Sequence, residues 1–231
     1  MLRRGMPRKK FVGRRESAAR LAGAALVTAA MLAAIPAAIP AGAQGLAGWK
    51  LRVDGSTAAV DPGKAPLVEF SGINGTFRAR NGHAATYFNP ANTASGNYSL
   101  KATFNVLRTT SPVEYYGLIF GGSGLDGARQ NYLYFMVAGN GSWLFKRRVG
   151  DDTEEIGGPA EHAAVKKLDG GKAVNALEVR VRADKIECLI NGTVVHTAPK
   201  SGKTAKTDGI YGFRINHLLE IQVDGFAVSP L

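Results

Sequence analysis

The chain has 231 residues, 45% of them hydrophobic, and its single cysteine, Cys188, excludes an internal disulfide framework. Its 29 Lys and Arg against 18 Asp and Glu give a formal charge of +11, but residues 1–43 take 8 of the basic and 1 of the acidic groups, leaving 21 and 17, a net of +4, for residues 44–231. The basicity therefore belongs mostly to one end, and a nucleic-acid partner is not expected.

Residues 1–20 carry Arg3, Arg4, Arg8, Lys9, Lys10, Arg14, Arg15 and Arg20 against Glu16 alone. An Ala/Leu/Val run over 21–35 follows, broken by Pro36 and Pro40, and Ala41-Gly42-Ala43 sets small residues at signal-peptidase spacing. Basic, apolar and small segments in that order predict a signal peptide over 1–43, cleaved after Ala43. The apolar run, about 15 residues, is shorter than the roughly 20 of a membrane helix. No membrane partner is expected after cleavage, and the mature chain is expected in the periplasm or outside the cell. Arg14-Arg15 lacks the following apolar pair of a twin-arginine signal, which leaves the export route open.

Residues 44–231 suit one all-β domain. Short runs of alternating apolar and polar residues, punctuated by Gly, Asn, Asp and Ser, predict thirteen strands. They cover 49–53, 67–71, 76–80, 84–88, 98–107, 114–120, 132–138, 142–148, 176–182, 185–190, 193–197, 210–216 and 219–228. Tyr98, Leu100, Ala102, Phe104 and Val106 alternate with Ser99, Lys101, Thr103 and Asn105. Residues 117–120 and 132–137 are apolar on both faces, as central strands are. Glu161 to Leu168 is the one expected helix, a turn or two long. Leu177, Val179 and Val181, a turn at Ala183-Asp184, then Ile186, Cys188 and Ile190 before Asn191-Gly192 predict an antiparallel meander. Cys188 shares the inward phase and reads as an inert buried thiol. In the last strand the phase slips one residue between Val223 and Phe226, which predicts a bulge at Gly225. Thirteen strands at hairpin spacing make two packed antiparallel sheets.

Several pieces together carry a resemblance: Trp49, the Tyr115–Gly122 strand, the Tyr132–Phe135 run leading to Trp143, the meander ending in Asn191-Gly192, and the closing Val223-Asp224-Gly225-Phe226. The chain resembles the concanavalin A-like lectin/glucanase superfamily over nearly all of 47–231, and within it a group of exported bacterial proteins of no established function. The resemblance implies an all-β, two-sheet antiparallel jelly-roll sandwich whose first and last strands are neighbours, with Val53-Asp54-Gly55 and Val223-Asp224-Gly225 as matched strand ends. Members of the superfamily often bind carbohydrate on the concave sheet or its rim loops.

Fold alone does not carry function. Glycoside hydrolysis needs two carboxylates about 5–9.5 Å apart, and the Glu-x-Asp-x-(x)-Glu strand of the superfamily's laminarinase-type enzymes is missing here. Asp151-Asp152-Thr153-Glu154-Glu155 reads as a solvated hairpin tip. His83, His162, His196 and His217 lack zinc-site spacing. Asp126, in the Gly-rich stretch 121–127, is the one candidate calcium ligand; a lone carboxylate is too few for tight binding, so a turn is the favoured reading and no cofactor is expected. Gly122-Ser123-Gly124 is not a nucleophile elbow. Binding remains. Tyr116, Tyr132 and Tyr134 can offer ring faces, and Arg147, Arg214 and Asn216 planar hydrogen-bonding groups, a combination that suits sugar rings. Satisfied core tyrosines and rim arginines are the competing reading. Lys146-Arg147-Arg148 reads as a solvated hairpin end or a contact for an anionic glycan. The expected function is an exported carbohydrate- or glycan-binding module. A saccharide hydrolase of another mechanism and an envelope interaction module are the alternatives.

Overall fold

Residues 45–231 are described by the computed structural model; the expected signal peptide and its cleavage point lie outside the described residues. Alternating side chains resolve into fourteen strands among the described residues. They are β1 (Lys50–Val53), β2 (Val68–Ile73), β3 (Thr76–Asn81), β4 (Ala85–Ala94), β5 (Tyr98–Thr109), β6 (Tyr115–Ser123), β7 (Asn131–Ala138), β8 (Ser142–Val149), β9 (Asp152–Glu161), β10 (Ala173–Val181), β11 (Lys185–Ile190), β12 (Thr193–Pro199), β13 (Gly209–Ile215) and β14 (Leu219–Pro230). Two antiparallel seven-stranded sheets result, ordered β1-β4-β13-β6-β7-β8-β9 and β12-β11-β10-β5-β14-β3-β2. All thirteen expected strands are present. The slip in β14 against β5 falls between Asp224 and Ala227, around Gly225 at φ 60°.

The added strand, β9, begins in the acidic run read as a hairpin tip. Only Gly150 and Asp151 form the turn, and Asp152 already pairs with Val149. β9 is the edge of the first sheet, so its side chains need no apolar alternation, and charge on an edge discourages pairing with other chains. The helix expected over 161–168 does not form. Glu161 ends β9, and the following turn is pinned by Asn175, whose Oδ1 accepts the Lys166 N–H at 2.8 Å and whose Nδ2 donates to the Lys166 carbonyl at 3.0 Å. Pro159 in β9 lies on the edge strand, where a missing N–H costs no ladder bond.

The first and last strands are not neighbours in a sheet, contrary to the resemblance. β1 pairs with β4 in the first sheet, and β14 lies between β5 and β3 in the second. They meet instead through the core, where the rings of Trp49 and Phe226 lie 6.0 Å apart. Trp49 also packs on Phe70, Phe77 and Phe213 at centroid distances of 5.7, 4.6 and 5.5 Å. Away from this end the core mixes aliphatic side chains, with Leu100, Leu118, Val179, Ile186 and Ile190 all buried, and further ring pairs such as Phe120–Phe145 and Phe135–Trp143. Each such side chain contributes about 1.5–3 kcal/mol by leaving water. Cys188 lies in this layer, and burial pushes its thiol well above the ordinary range.

Asn175, Tyr116, Tyr87 and Asn81 pair their buried polar groups in the core. The Asn175 amide donates to the Tyr116 hydroxyl at 3.0 Å, joining β10 of one sheet to β6 of the other. Its Oδ1 accepts from Asn191 Nδ2 at 2.9 Å, and Asn191 holds the β11–β12 turn at φ 49°. The Tyr87 hydroxyl donates to Asn81 Oδ1 at 2.7 Å.

Between the edge strands β9 and β12 of the two sheets a histidine meets a glycine. The His196 ring on β12 sits where Gly157 of β9 has no side chain; a Cβ there would lie 2.8 Å from the ring. The Trp143 ring packs against it at 5.2 Å, tilted by 37°, His196 Nε2 is buried without a hydrogen-bond partner, and burial lowers the pKa below its usual 6.5. The unfolded chain therefore binds a proton on His196 more readily than the folded one. Its contribution to stability is full above about pH 6.5 and lost as pH falls through the lowered folded value. The expected result is a Tm that declines as pH falls below about 6.5, with the decline reduced in His196→Phe. A variant with the wild-type profile would show that another group controls this range.

Candidate functional site

The outward face of the first sheet has its own buried cluster: Phe88, Ile119, Leu125, Tyr132, Tyr134, Met136 and Leu144. This explains why β6 and β7 are apolar on both faces. One face fills the space between the sheets, and the other is covered from outside. Leu125 comes from the Gly-rich segment after β6, and Ala59 from the loop after β1 packs on the cluster too. The two segments are linked by the Ala59 N–H to the Asp126 carbonyl at 3.3 Å, and Arg52 donates to the carbonyls of Gly127 and Ser56.

Arg214 is the polar centre of this face. It is 7% exposed and points outward from β13, where its neighbours across the ladder are Thr86 and Gly117. Gly117 and Gly212 bring the flanking backbones so close that an added Cβ would meet a carbonyl oxygen at 2.2 and 2.1 Å. No side chain from either position competes for the space that the guanidinium occupies. Arg214 forms a fork with Asp54, Nη1 to Oδ1 at 2.8 Å and Nη2 to Oδ2 at 2.5 Å. Nη1 also donates to Thr86 Oγ1 at 3.3 Å and to the Tyr132 hydroxyl at 3.4 Å, and the guanidinium carbon lies 5.9 Å from the Tyr134 ring centre. Tyr132 and Tyr134 stand side by side at 5.6 Å.

The electrostatics follow from this geometry. Burial alone would raise the Asp54 carboxyl, but the Arg214 bond and charge, with Arg148 and Arg52 behind them, hold it below the usual range. Burial opposes the charge on Arg214, yet the bond to Asp54 and the Asp54 charge keep it firmly protonated. Burial pushes the Tyr134 phenol up to about 12. The site is a fixed cation–carboxylate pair beside two phenol rings. Lys146 and Arg148, opposite Tyr134 and Tyr132 on β8, extend it towards the sheet edge, where Lys146 pairs with Glu155 at 3.0 Å.

Of the six sequence candidates, Tyr132, Tyr134 and Arg214 come together here. Tyr116 lies inside the sandwich, bound to Asn175. Arg147 has the opposite phase on β8 and is held by Asn131 at 3.1 Å and Glu154 at 3.6 Å. Asn216 lies just past β13, donating its backbone N–H to the Tyr115 carbonyl at 2.9 Å while its Oδ1 is buried without a partner. Beside it, His217 meets the buried Glu114 carboxylate at 3.1 Å. Asp126 is exposed at the tip of the Gly-rich segment, and no three His, Cys, Asp or Glu side chains gather around one point among the described residues. Sequence reasoning missed Asp54, Thr86 and Arg52. Arg52 between Leu51 and Val53, and Thr86 between Ala85 and Tyr87, do show the phase of an outward face. Only the tertiary fold brings Asp54 to Arg214.

No protein-family model matches the chain, and no curated protein matches it by sequence. Solved structures do. The carbohydrate binding module CBM66 from Bacillus subtilis superposes with a TM-score of 0.56 at 11% identity, over 79% of this chain and 95% of that one. A Bacillus subtilis protein of unknown function with a galectin-like fold gives 0.54 at 12%, over 80% and 90%. A GH16 protein of the Bacteroides ovatus mixed-linkage glucan PUL, solved with a G4G4G3G product, gives 0.53 at 12%, over 79% and 94%. With its two seven-stranded antiparallel sheets, the chain has the jelly-roll fold of the concanavalin A-like proteins.

Proposed function

We propose that the protein is an exported carbohydrate-binding module, with the outward face of the first sheet as its site and Tyr132, Tyr134 and Arg214 as the binding groups. The observation that carries this reading is the Arg214–Asp54 fork set against two tyrosine rings. A pyranose is apolar on its C–H faces and polar at its edge, so it matches ring faces flanked by fixed donors and acceptors. The fold of a carbohydrate binding module and of a glucan-acting protein supports the same class of ligand. Tyr132, Tyr134 and Arg214 are only 1%, 7% and 7% exposed, so a ligand reaches them past Asp54, Lys146 and Arg148, which keep part of their surface in solvent.

A hydrolase has less support. On this side of the molecule Asp54, Glu155 and Glu114 are each bound to a base, to Arg214, Lys146 and His217 in turn, rather than set against a second carboxylate. The test is a glycan array followed by calorimetry on each hit. Tyr134→Ala is expected to weaken binding at least about tenfold, as loss of a sugar-stacking ring does. An array without hits, or full affinity in Tyr134→Ala, would remove this reading.

A further inference from the structure

The opposite face of the molecule carries a recess bordered by charged side chains. On β3 the alternation turns Arg78 and Arg80 to solvent. Register then sets Glu69, Arg80, Glu220 and Arg108 in one row across β2, β3, β14 and β5. This row borders a recess of about 680 Å³ whose walls include Leu67, Gly82, Thr109 and Leu218.

A ladder of cross-strand ion pairs accounts for part of the row. Glu220 is gripped by Arg78 and Arg108, and those bonds hold its carboxyl below the usual range. The ladder does not account for Arg80 and Arg108. Each touches a carboxylate at only 3.4 Å, and their side chains stay 55% and 63% exposed. Exposed pairs of this kind contribute little, so most of the N–H donors on two guanidinium groups remain uncommitted.

Nor does it account for the leucines. Leu67 at φ 57° and Leu218 at φ 61° occupy the left-handed region, where glycine or asparagine would sit without strain. Both brace the same corner: Gly82 N–H donates to the Leu67 carbonyl at 2.7 Å, and Leu218 N–H to the Asn81 carbonyl at 2.8 Å. The result is two apolar side chains, 69% and 49% exposed, held at the mouth of an arginine-lined recess. Strained backbone of this kind gathers at ligand clamps.

We infer that this recess is a second saccharide patch, on the sheet opposite the first site, and that it takes a carboxylated sugar. Arg80 and Arg108 grip the carboxylate through their planar forks, while Leu67 and Leu218 pack on the C–H face of the ring. The inference rests on the carbohydrate reading of the protein but on none of the same residues. The test is calorimetric titration of the protein with trigalacturonate and with its methyl ester, which keeps the ring and loses the charge. The acid is expected to bind and the ester to bind at least about tenfold more weakly, since the charge-assisted bonds are gone. Arg80→Ala/Arg108→Ala and, separately, Leu218→Ser are expected to lose the acid while melting as the wild type does, and Tyr134→Ala is expected to keep it. No binding of the acid, equal binding of the ester, or full affinity in the double arginine variant would overturn the patch. Loss of the acid in Tyr134→Ala alone would assign it to the first site. Retention of the acid in a protein whose Tyr134→Ala form binds neutral glycans normally would leave the patch standing and remove the first site.

Discussion

Trp49→Ala is expected to destabilise the protein by about 4 kcal/mol, at the upper end of large-to-small changes in a core. Trp49 stands at the start of the first sheet and reaches across to Phe77 and Phe226 of the second, with Phe213 of its own sheet beside it. Removal takes away the transfer free energy of the indole and leaves a void lined by rings that cannot collapse onto a methyl group. Tilted and edge-on pairs contribute about 0.5–1.5 kcal/mol each beyond buried area, and Trp49 makes four of them. Urea denaturation measures the change, read as a lower midpoint at unchanged slope. A loss below about 1 kcal/mol would mean that β1 contributes little to the packed layers.

Asp54→Ala is expected to cost about 2–4 kcal/mol. Removing one partner of a fully buried ion pair costs about 3–5 kcal/mol, because the other charge is left without compensation. The Asp54 side chain is 38% exposed, so water reaches the vacated space and the figure is lowered accordingly. Arg214→Met is expected to cost less, since it removes the buried charge itself, and the double variant Asp54→Ala/Arg214→Met should recover much of the loss. Equal losses in both single variants would contradict the charge argument. The pH dependence has a definite sign. Asp54 is held below its ordinary 3.8, so its contribution is complete above that value and fades as pH falls through the lower folded one. The acid limb of the stability curve should therefore be shallower in Asp54→Ala.

Period-two patterning made most of this fold legible before any coordinates, because a strand with one face against the core must alternate. The meander of β10 and β11 and the slip at Gly225 show that directly. The pattern was silent where its cause was absent. β9 is an edge strand with polar and glycine positions, so no alternation marked it, while Glu161 to Leu168 had helical composition but is fixed by Asn175 and Asn191 as a turn. The site was half legible. Phase alone put Tyr132 beside Tyr134, and the double-sided apolar runs of β6 and β7 implied a covered outer face. Phase could not separate Tyr116 from those two, since tyrosines of β6 and β7 carry no mark of which sheet face they serve. The partner of Arg214 is 160 residues away in sequence, and only the stacking order of β1, β4 and β13 brings Asp54 to it.

The position of Cys188 has a kinetic consequence. It is the sole thiol, fully enclosed on the second strand in from an edge, with no solvent path while β11 stays paired on both sides. A thiol reagent can reach it only after that strand separates from its neighbours, so the labelling rate reports the opening of the sheet and not the reactivity of the sulfur. Nature has thus supplied this molecule with a single-site chemical clock for its own unravelling, readable by mass without any engineered probe.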